Sequence, residues 1–296
     1  MFRLAAIILM LAGGGQLARG QSSDPNPSSL LETGHATKLS SPKDTPKLPM
    51  LVTYNIRWRT GAELQTIIEW LKKSPDVVLI ALQEVDRAKP RTNKTNNARA
   101  LAEGLGMYYA WAAPPPAANE REEETGVELL SRYPLTAVTR IVLPHEGPGG
   151  RSRVALGATI QVGKAGWRVY SVHSETRIAV SRKMDQLRAV LDDLAHYPKG
   201  TPAVVMGDFN TWEPDSLDEV HSLFANQGFT TPFSDSEFTF KRNAIVFDIR
   251  LKLDWIWLRG LTAKTFGIDR SVTVSDHFPL YATLSEPKAS AGAAVK

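Results

Sequence analysis

A chain of 296 residues, 43% hydrophobic and 22% charged, has the make-up of a globular protein with a substantial core. It contains no cysteine, which excludes disulfides, thiolate metal sites and a cysteine nucleophile. The formal charge is +4, falling to +2 if the first 20 residues, with Arg3 and Arg19, are removed; so near-neutral a protein gives little support to a broad nucleic-acid surface.

The chain begins like an export signal. Met1-Phe2-Arg3 is a short positive start, Leu4 to Leu11 an apolar run, and Ala18-Arg19-Gly20 a small-x-small cleavage site. The apolar run falls well short of the about 20 residues a membrane span needs. Residues 1–20 are therefore read as a signal peptide and the protein as exported, periplasmic or secreted. Residues 21–49, rich in Ser, Pro, Thr and Lys without periodicity, predict a disordered linker. Residues 50–285 form the domain, and the small polar residues 286–296 a disordered tail.

Within the domain, Met50 to Ile56 predicts a strand ending at Asn55. Leu64, Ile67, Ile68 and Leu71 fall at helical spacing, and Ser74-Pro75-Asp76 stops that helix. Val77 to Leu82 is a second buried strand, and it delivers Glu84 at its end. A short helix from Asn97 closes at Gly106; Met107 to Trp111 is a strand, and Pro114-Pro115-Pro116 with Glu120 to Glu124 a surface loop. Gly126 to Pro134 is a strand entering a turn, and strands follow at Thr136 to Leu143, Val154 to Val162 and Trp167 to Val172, the last ending in His173. Met184, Leu187, Val190, Leu191 and Leu194 mark one helix, and Leu217, Val220 and Leu223 another. Between them Val204-Val205-Met206 runs into Gly207-Asp208-Phe209-Asn210, so that strand period sends Asp208 and Asn210 one way and Phe209 into the core. Asp254 falls inside the last apolar strand, Leu251 to Leu258, an expensive place for an unpaired acid. Asp276-His277 closes the set. Trp111, Trp212 and Trp257 read as core.

Strands outnumber helices, which favours an α/β fold of two packed sheets with helices outside. Asp and Asn also favour ordinary turns, and lone histidines are commonly structural; the weight rests on recurrence. Asn55, Glu84, His173, Asp208, Asn210, Asp254, Asp276 and His277 all sit at strand ends or beside turns. Glu84 and Asp276, with Asn55 or Asp208, are hard oxygen ligands of the kind Mg²⁺ prefers, with Mn²⁺ as the alternative. His277 with Asp254 suits proton transfer or donation to a developing oxyanion. These residue types ask for phosphoester hydrolysis by activated water.

Taken in order, Thr53-Tyr54-Asn55-Ile56, Leu82-Gln83-Glu84-Val85, Gly126 to Pro134, His173-Ser174, Gly207 to Asn210, Leu253 to Ile256 and Ser275-Asp276-His277 make a chain that resembles the endonuclease/exonuclease/phosphatase superfamily (DNase I-like) over residues 50–285. The resemblance implies a four-layer α/β sandwich, two packed mixed β-sheets flanked by helices, with the site at one sheet edge. It implies Glu84 as principal Mg²⁺ ligand with Asn55 and Asp276 nearby. Asp208 orients or deprotonates the water, Asn210 holds the phosphate, His277 polarised by Asp254 contacts it, and His173 is the second histidine. Leu251 to Ile256 departs from the inositol-polyphosphate phosphatase pattern, and Glu128 to Ser131 from the abasic-site endonuclease pattern. The expected substrate is a phosphoester in nucleic acid, a phospholipid headgroup or a small molecule. No obligate protein partner is inferred, and the protein is read as a monomer. The competing class is a non-catalytic phosphate-ligand-binding protein that keeps the fold.

Overall fold

The computed structural model describes residues 30–40, 46, 48–116, 124–243 and 247–285. The first part of the chain gives β1 (Leu31–His35), β2 (Met50–Asn55), α1 (Gly61–Lys72), β3 (Val77–Arg87), α2 (Asn97–Leu105), β4 (Tyr108–Ala112) and β5 (Glu124–Ser131). Next come β6 (Thr136–Gly147), β7 (Arg151–Val162), β8 (Ala165–His173), α3 (Val180–Leu194), β9 (Ala203–Asp208) and α4 (Pro214–Ala225). The chain closes with β10 (Phe240–Asn243), β11 (Asp248–Leu251), β12 (Asp254–Arg259), β13 (Ala263–Ile268) and β14 (Leu280–Leu284). One sheet has the order β1-β4-β5-β3-β2-β14-β13 and the other β12-β9-β8-β7-β6, with β10 and β11 paired separately. In each sheet one pair is parallel, β2 with β3 and β8 with β9.

Strand alternation divides the apolar residues into three layers. Leu51, Leu79, Ala81, Leu156, Val169, Val204, Met206 and Ile256 meet between the sheets. Val52, Tyr54, Ile80 and Leu82 face the other way, onto Leu64, Ile67, Ile68 and Leu71 of α1 and Leu101 of α2. On the second sheet Val205, Trp255 and Trp257 face Met184, Leu187 and Val190 of α3 and Phe224 of α4. Each helix thus buries the stripe its 3.6-residue spacing creates. α2 is bounded as its sequence dictates: the Asn96 side chain caps the Arg99 N–H, and Gly106 ends the helix at φ +67°. The four layers match the expected sandwich.

The linker expectation fails at Leu31–His35, which pairs antiparallel with β4 as an edge strand. Its anchor is polar. Glu32 accepts from Tyr109 Oη at 2.6 Å, Arg87 Nη1 at 2.9 Å and Asn96 Nδ2 at 3.0 Å, a set of partners no local pattern reveals. The signal peptide, the tail from 286 and the loop segment 117–123 lie outside the described residues.

The parallel pairs set the geometry of the site. β2 and β3 end together, as do β8 and β9, and β12 begins opposite the end of β9 with Asp254 against Asp208. The inter-sheet face of these strands is apolar toward the core and turns polar near their ends, where Thr53, Gln83 and Ser171 are followed by Asn55, His173, Asp208 and Asp254. The core opens there into a polar cleft.

Candidate active site

Glu84 owes its direction to a backbone irregularity. The pairing of β3 with β5 slips between Gln83 and Val85, and Glu84 takes φ +56°, a left-handed conformation costly for a residue with a side chain. Gln83 keeps the strand's alternation and points between the sheets, donating to Ser171 Oγ at 3.1 Å and Thr53 Oγ1 at 3.3 Å. Glu84 opens into the cleft instead, where Trp58 Nε1 donates to its Oε2 at 2.5 Å. Asn55 Nδ2 lies 3.3 Å from Glu84 Oε1 and 3.0 Å from Asp208 Oδ2.

Gly207 allows the close approach that places Asp208. Its φ is +140°, and a Cβ there would lie 2.1 Å from the Val172 carbonyl oxygen on β8. Asn210, at φ +52°, then turns the chain so that its backbone N–H donates to Asp208 Oδ1 at 3.1 Å and its Nδ2 to the Ser174 carbonyl at 3.0 Å. Phe209 is buried, as strand period predicts.

The two histidines flank Asp208. His277 Nδ1 is 2.8 Å from Asp254 Oδ2, and its Nε2 is 3.7 Å from Asp208 Oδ2. Burial alone would lower the pKa of His277, but the carboxylates of Asp254 and Asp208 outweigh it and raise it to about 10, so the ring is an imidazolium at neutral pH. His173 Nε2 stands 3.6 Å from the same Asp208 oxygen and 3.9 Å from Glu84 Oε1. Its Nδ1 meets Arg153 Nη1 at 3.2 Å. A guanidinium only donates, so Nδ1 must accept and the ring proton sits on Nε2, aimed into the cleft. Burial, then the charges of Arg153, His277 and Arg151, hold the His173 pKa well below its usual value. One histidine is therefore a fixed charge and the other a neutral donor. Asp208 is pushed up to about 7, chiefly by burial, with Asp254 and Glu84 adding to the effect and His277 and Asn55 opposing it.

Every sequence-predicted residue reaches this one place. Glu84, His173, Asp208, Asn210, Asp276 and His277 line a cleft of about 760 Å³, with Asn55 and Asp254 behind its wall. Three details differ from expectation. Asn55 presents its nitrogen to the carboxylates while its oxygen accepts from the Arg57 N–H at 3.0 Å. Asp276 is drawn to Arg57 Nη1 at 2.9 Å. Trp212 lines the cleft under Lys183 Nζ, 4.1 Å from its ring centre, where a core position was predicted; Trp111 and Trp257 are core. Sequence reasoning missed Trp58, Gln83 and Glu175. Gln83 could have been found, since it sits beside Glu84 at an inward-facing position; the contacts of Trp58 and Glu175 are purely tertiary.

Two sets of groups could receive a cation. Asp208, Asp254 and His277 offer ligand atoms within 4.8 Å of one another. In that set His277 is itself cationic and bound to Asp254, which makes it a proton-holding chain and a poor cation site. Glu84 and Asp208, two carboxylates with the neutral Asn55 amide and the neutral His173 ring between them, form the better one. Hard oxygen donors at a cleft mouth fit a divalent cation of the Mg²⁺ type.

A family model described as "Endonuclease/Exonuclease/phosphatase family" matches residues 52–277. Among solved structures, an endonuclease/exonuclease/phosphatase family protein from Leptotrichia buccalis is similar over 80% of this chain and 99% of its own, with 18% identity and a TM-score of 0.63. D. rerio TDP2 complexed with a single-strand DNA product is similar over 81% of this chain and 99% of its own (16% identity, TM-score 0.62). The human Nocturnin catalytic domain with bound sulfate is similar over 88% and 98% (19%, 0.63). At these identities the likeness concerns the fold. No curated protein sequence matches the chain significantly.

Proposed function

The chain belongs to the endonuclease/exonuclease/phosphatase family, whose members are generally phosphoester hydrolases, and from that premise we propose that it hydrolyses a phosphoester by direct attack of water, with a divalent cation of the Mg²⁺ type as cofactor. The observation that carries this reading is the convergence of Glu84, Asp208, His173 and the Asp254–His277 pair on one cleft. Glu84 and Asp208 are the residues that would hold the cation, with Asn55 and Asp276 beside them. When bound, the cation supplies Lewis-acid polarisation and charge neutralisation at the phosphate.

The chain's own groups do the rest. Asp208, held by Asn55 and the Asn210 N–H between the two histidines, is placed to orient the attacking water and take its proton. His277 holds a positive charge against the phosphate oxygens, and Asp254 keeps it there. His173 donates from Nε2, and Asn210 fixes Asp208 while leaving an amide hydrogen for the phosphate. No side chain is required as a nucleophile.

The signal-like residues 1–20 support a place outside the cytoplasm. The substrate is a phosphoester from nucleic acid, a phospholipid headgroup or a small molecule. The test is hydrolysis of bis(p-nitrophenyl) phosphate and of plasmid DNA, RNA and sphingomyelin with Mg²⁺, each repeated with EDTA. A protein that binds phosphate but turns over none of these, with or without metal, would be the non-catalytic member of the fold.

A further inference from the structure

The wall of the cleft beside His173 carries two arginines held by one buried acid. Glu175 has a fully buried side chain, and its Oε1 and Oε2 accept from Arg151 Nη2 at 2.7 Å and Arg151 Nε at 3.0 Å. Arg153 Nε donates to Oε2 at 3.0 Å, and the Arg177 N–H and Thr176 Oγ1 reach Oε1 at 3.1 and 3.0 Å. The carboxylate is lodged where only glycine leaves room, since a Cβ at Gly147 would lie 2.5 Å from Glu175 Cδ. Burial alone would raise the Glu175 pKa, but the two guanidiniums bring it down to about 2, so it remains charged.

One negative charge against two positive ones leaves this bracket net cationic. The bracket is also pre-organised, because the fork of Arg151 and the Nε of Arg153 are fixed from behind. Arg153 Nη1 is spent on His173. Among the described residues Arg151 Nη1 and Arg153 Nη2 have no acceptor, and both side chains line the cleft. Donors already oriented and short of one counter-charge suit a phosphate, whose oxygens guanidiniums meet in pairs.

We propose that Arg151 and Arg153, clamped by Glu175, form a subsite for a second phosphate of the substrate, next to the phosphate that is split. The proposal rests on the phosphoester reading above. It narrows the substrate to a molecule with two phosphates within reach, either neighbouring linkages of a nucleotide chain or two esters on one small alcohol. Arg153, through its bond to His173 Nδ1, ties occupancy of this subsite to the reacting phosphate.

The experiment is calorimetric titration of the full-length protein in EDTA, where binding is read without turnover. The probes are adenosine 5′-monophosphate, adenosine 3′,5′-bisphosphate and the dinucleotide pApA. The bisphosphate or the dinucleotide should bind at least tenfold more tightly than the monophosphate. Arg151→Gln should shrink that ratio to under threefold, and Arg151→Lys should leave it intermediate. A gain confined to pApA identifies a nucleotide chain as the source, and a gain for both a second ester of any origin. Equal binding of all three by the wild type overturns the subsite, whether or not the variants fold. So does an Arg151→Gln protein with an unaltered melting temperature and an unaltered ratio. Turnover of bis(p-nitrophenyl) phosphate with Mg²⁺ is scored separately, so a failed hydrolase reading and a failed subsite give different results.

Discussion

Replacing Lys252 by Met should make the protein more stable at pH 7 and abolish part of its pH dependence. Lys252 precedes Asp254 by two residues and is 4% exposed, its Nζ without a hydrogen-bond partner. Among the described residues its close contacts are aromatic, the ring centres of Trp255 and Phe233 at 4.5 and 5.0 Å. Burial brings its pKa down from 10.5 to about 8, against the raising effect of Glu237 and Asp254. A shift of that size corresponds to about 3 kcal/mol of destabilisation when the amine is charged. Between pH 8 and 10.5 the unfolded chain binds the extra proton, so stability rises with pH over that window. The cost is full below pH 8 and gone above 10.5. Methionine keeps the stem, removes the charge and forfeits a cation–π contact of about 1–2 kcal/mol, for a net gain of about 1–2 kcal/mol at pH 7. Urea unfolding of both proteins from pH 7 to 10.5 isolates the effect, since other titrations cancel in the difference. The wild type should close the gap on Lys252→Met as pH rises. Parallel curves across the range would refute the reasoning.

Three further outcomes follow from the site. His277→Ala should lower turnover by about 10²-fold or more with the fold intact, since it removes the charge held by Asp254; a loss below tenfold, measured on a protein of unchanged melting temperature, removes His277 from the chemistry. Trp58→Phe should weaken apparent Mg²⁺ affinity by about tenfold, read from the metal dependence of turnover, because Glu84 loses the donor that orients it; an unchanged metal titration would show that Glu84 needs no such support. Gly207→Ala should cost about 3 kcal/mol or more in chemical denaturation, since its Cβ has no place beside Val172; a cost under 1 kcal/mol would mean that β8 and β9 separate easily there.

The eight site residues were legible because polar groups, each ordinary alone, recurred at the ends of successive apolar strands and in a familiar order. Asp208 and Asn210 stand two apart at a strand end, and Asp254 interrupts an apolar run. What the sequence hid was of another kind. β1 is short and polar, and it is ordered by Glu32 reaching residues more than 50 positions away. The left-handed turn at Glu84 depends on a slip in pairing with β5 that no residue type announces. The tautomer of His173 is set by Arg153 on the neighbouring strand. Local pattern gives the first coordination of each residue; long-range contacts decide which way it faces.

The stereochemical course at phosphorus tests the central claim most directly. A phosphodiester substrate made chiral with sulfur and hydrolysed in H₂¹⁸O should give inverted product, because the proposed mechanism has water attack in line in a single step with no enzyme-bound phosphoryl group. Retention of configuration, or no hydrolysis with Mg²⁺ present, would contradict the account.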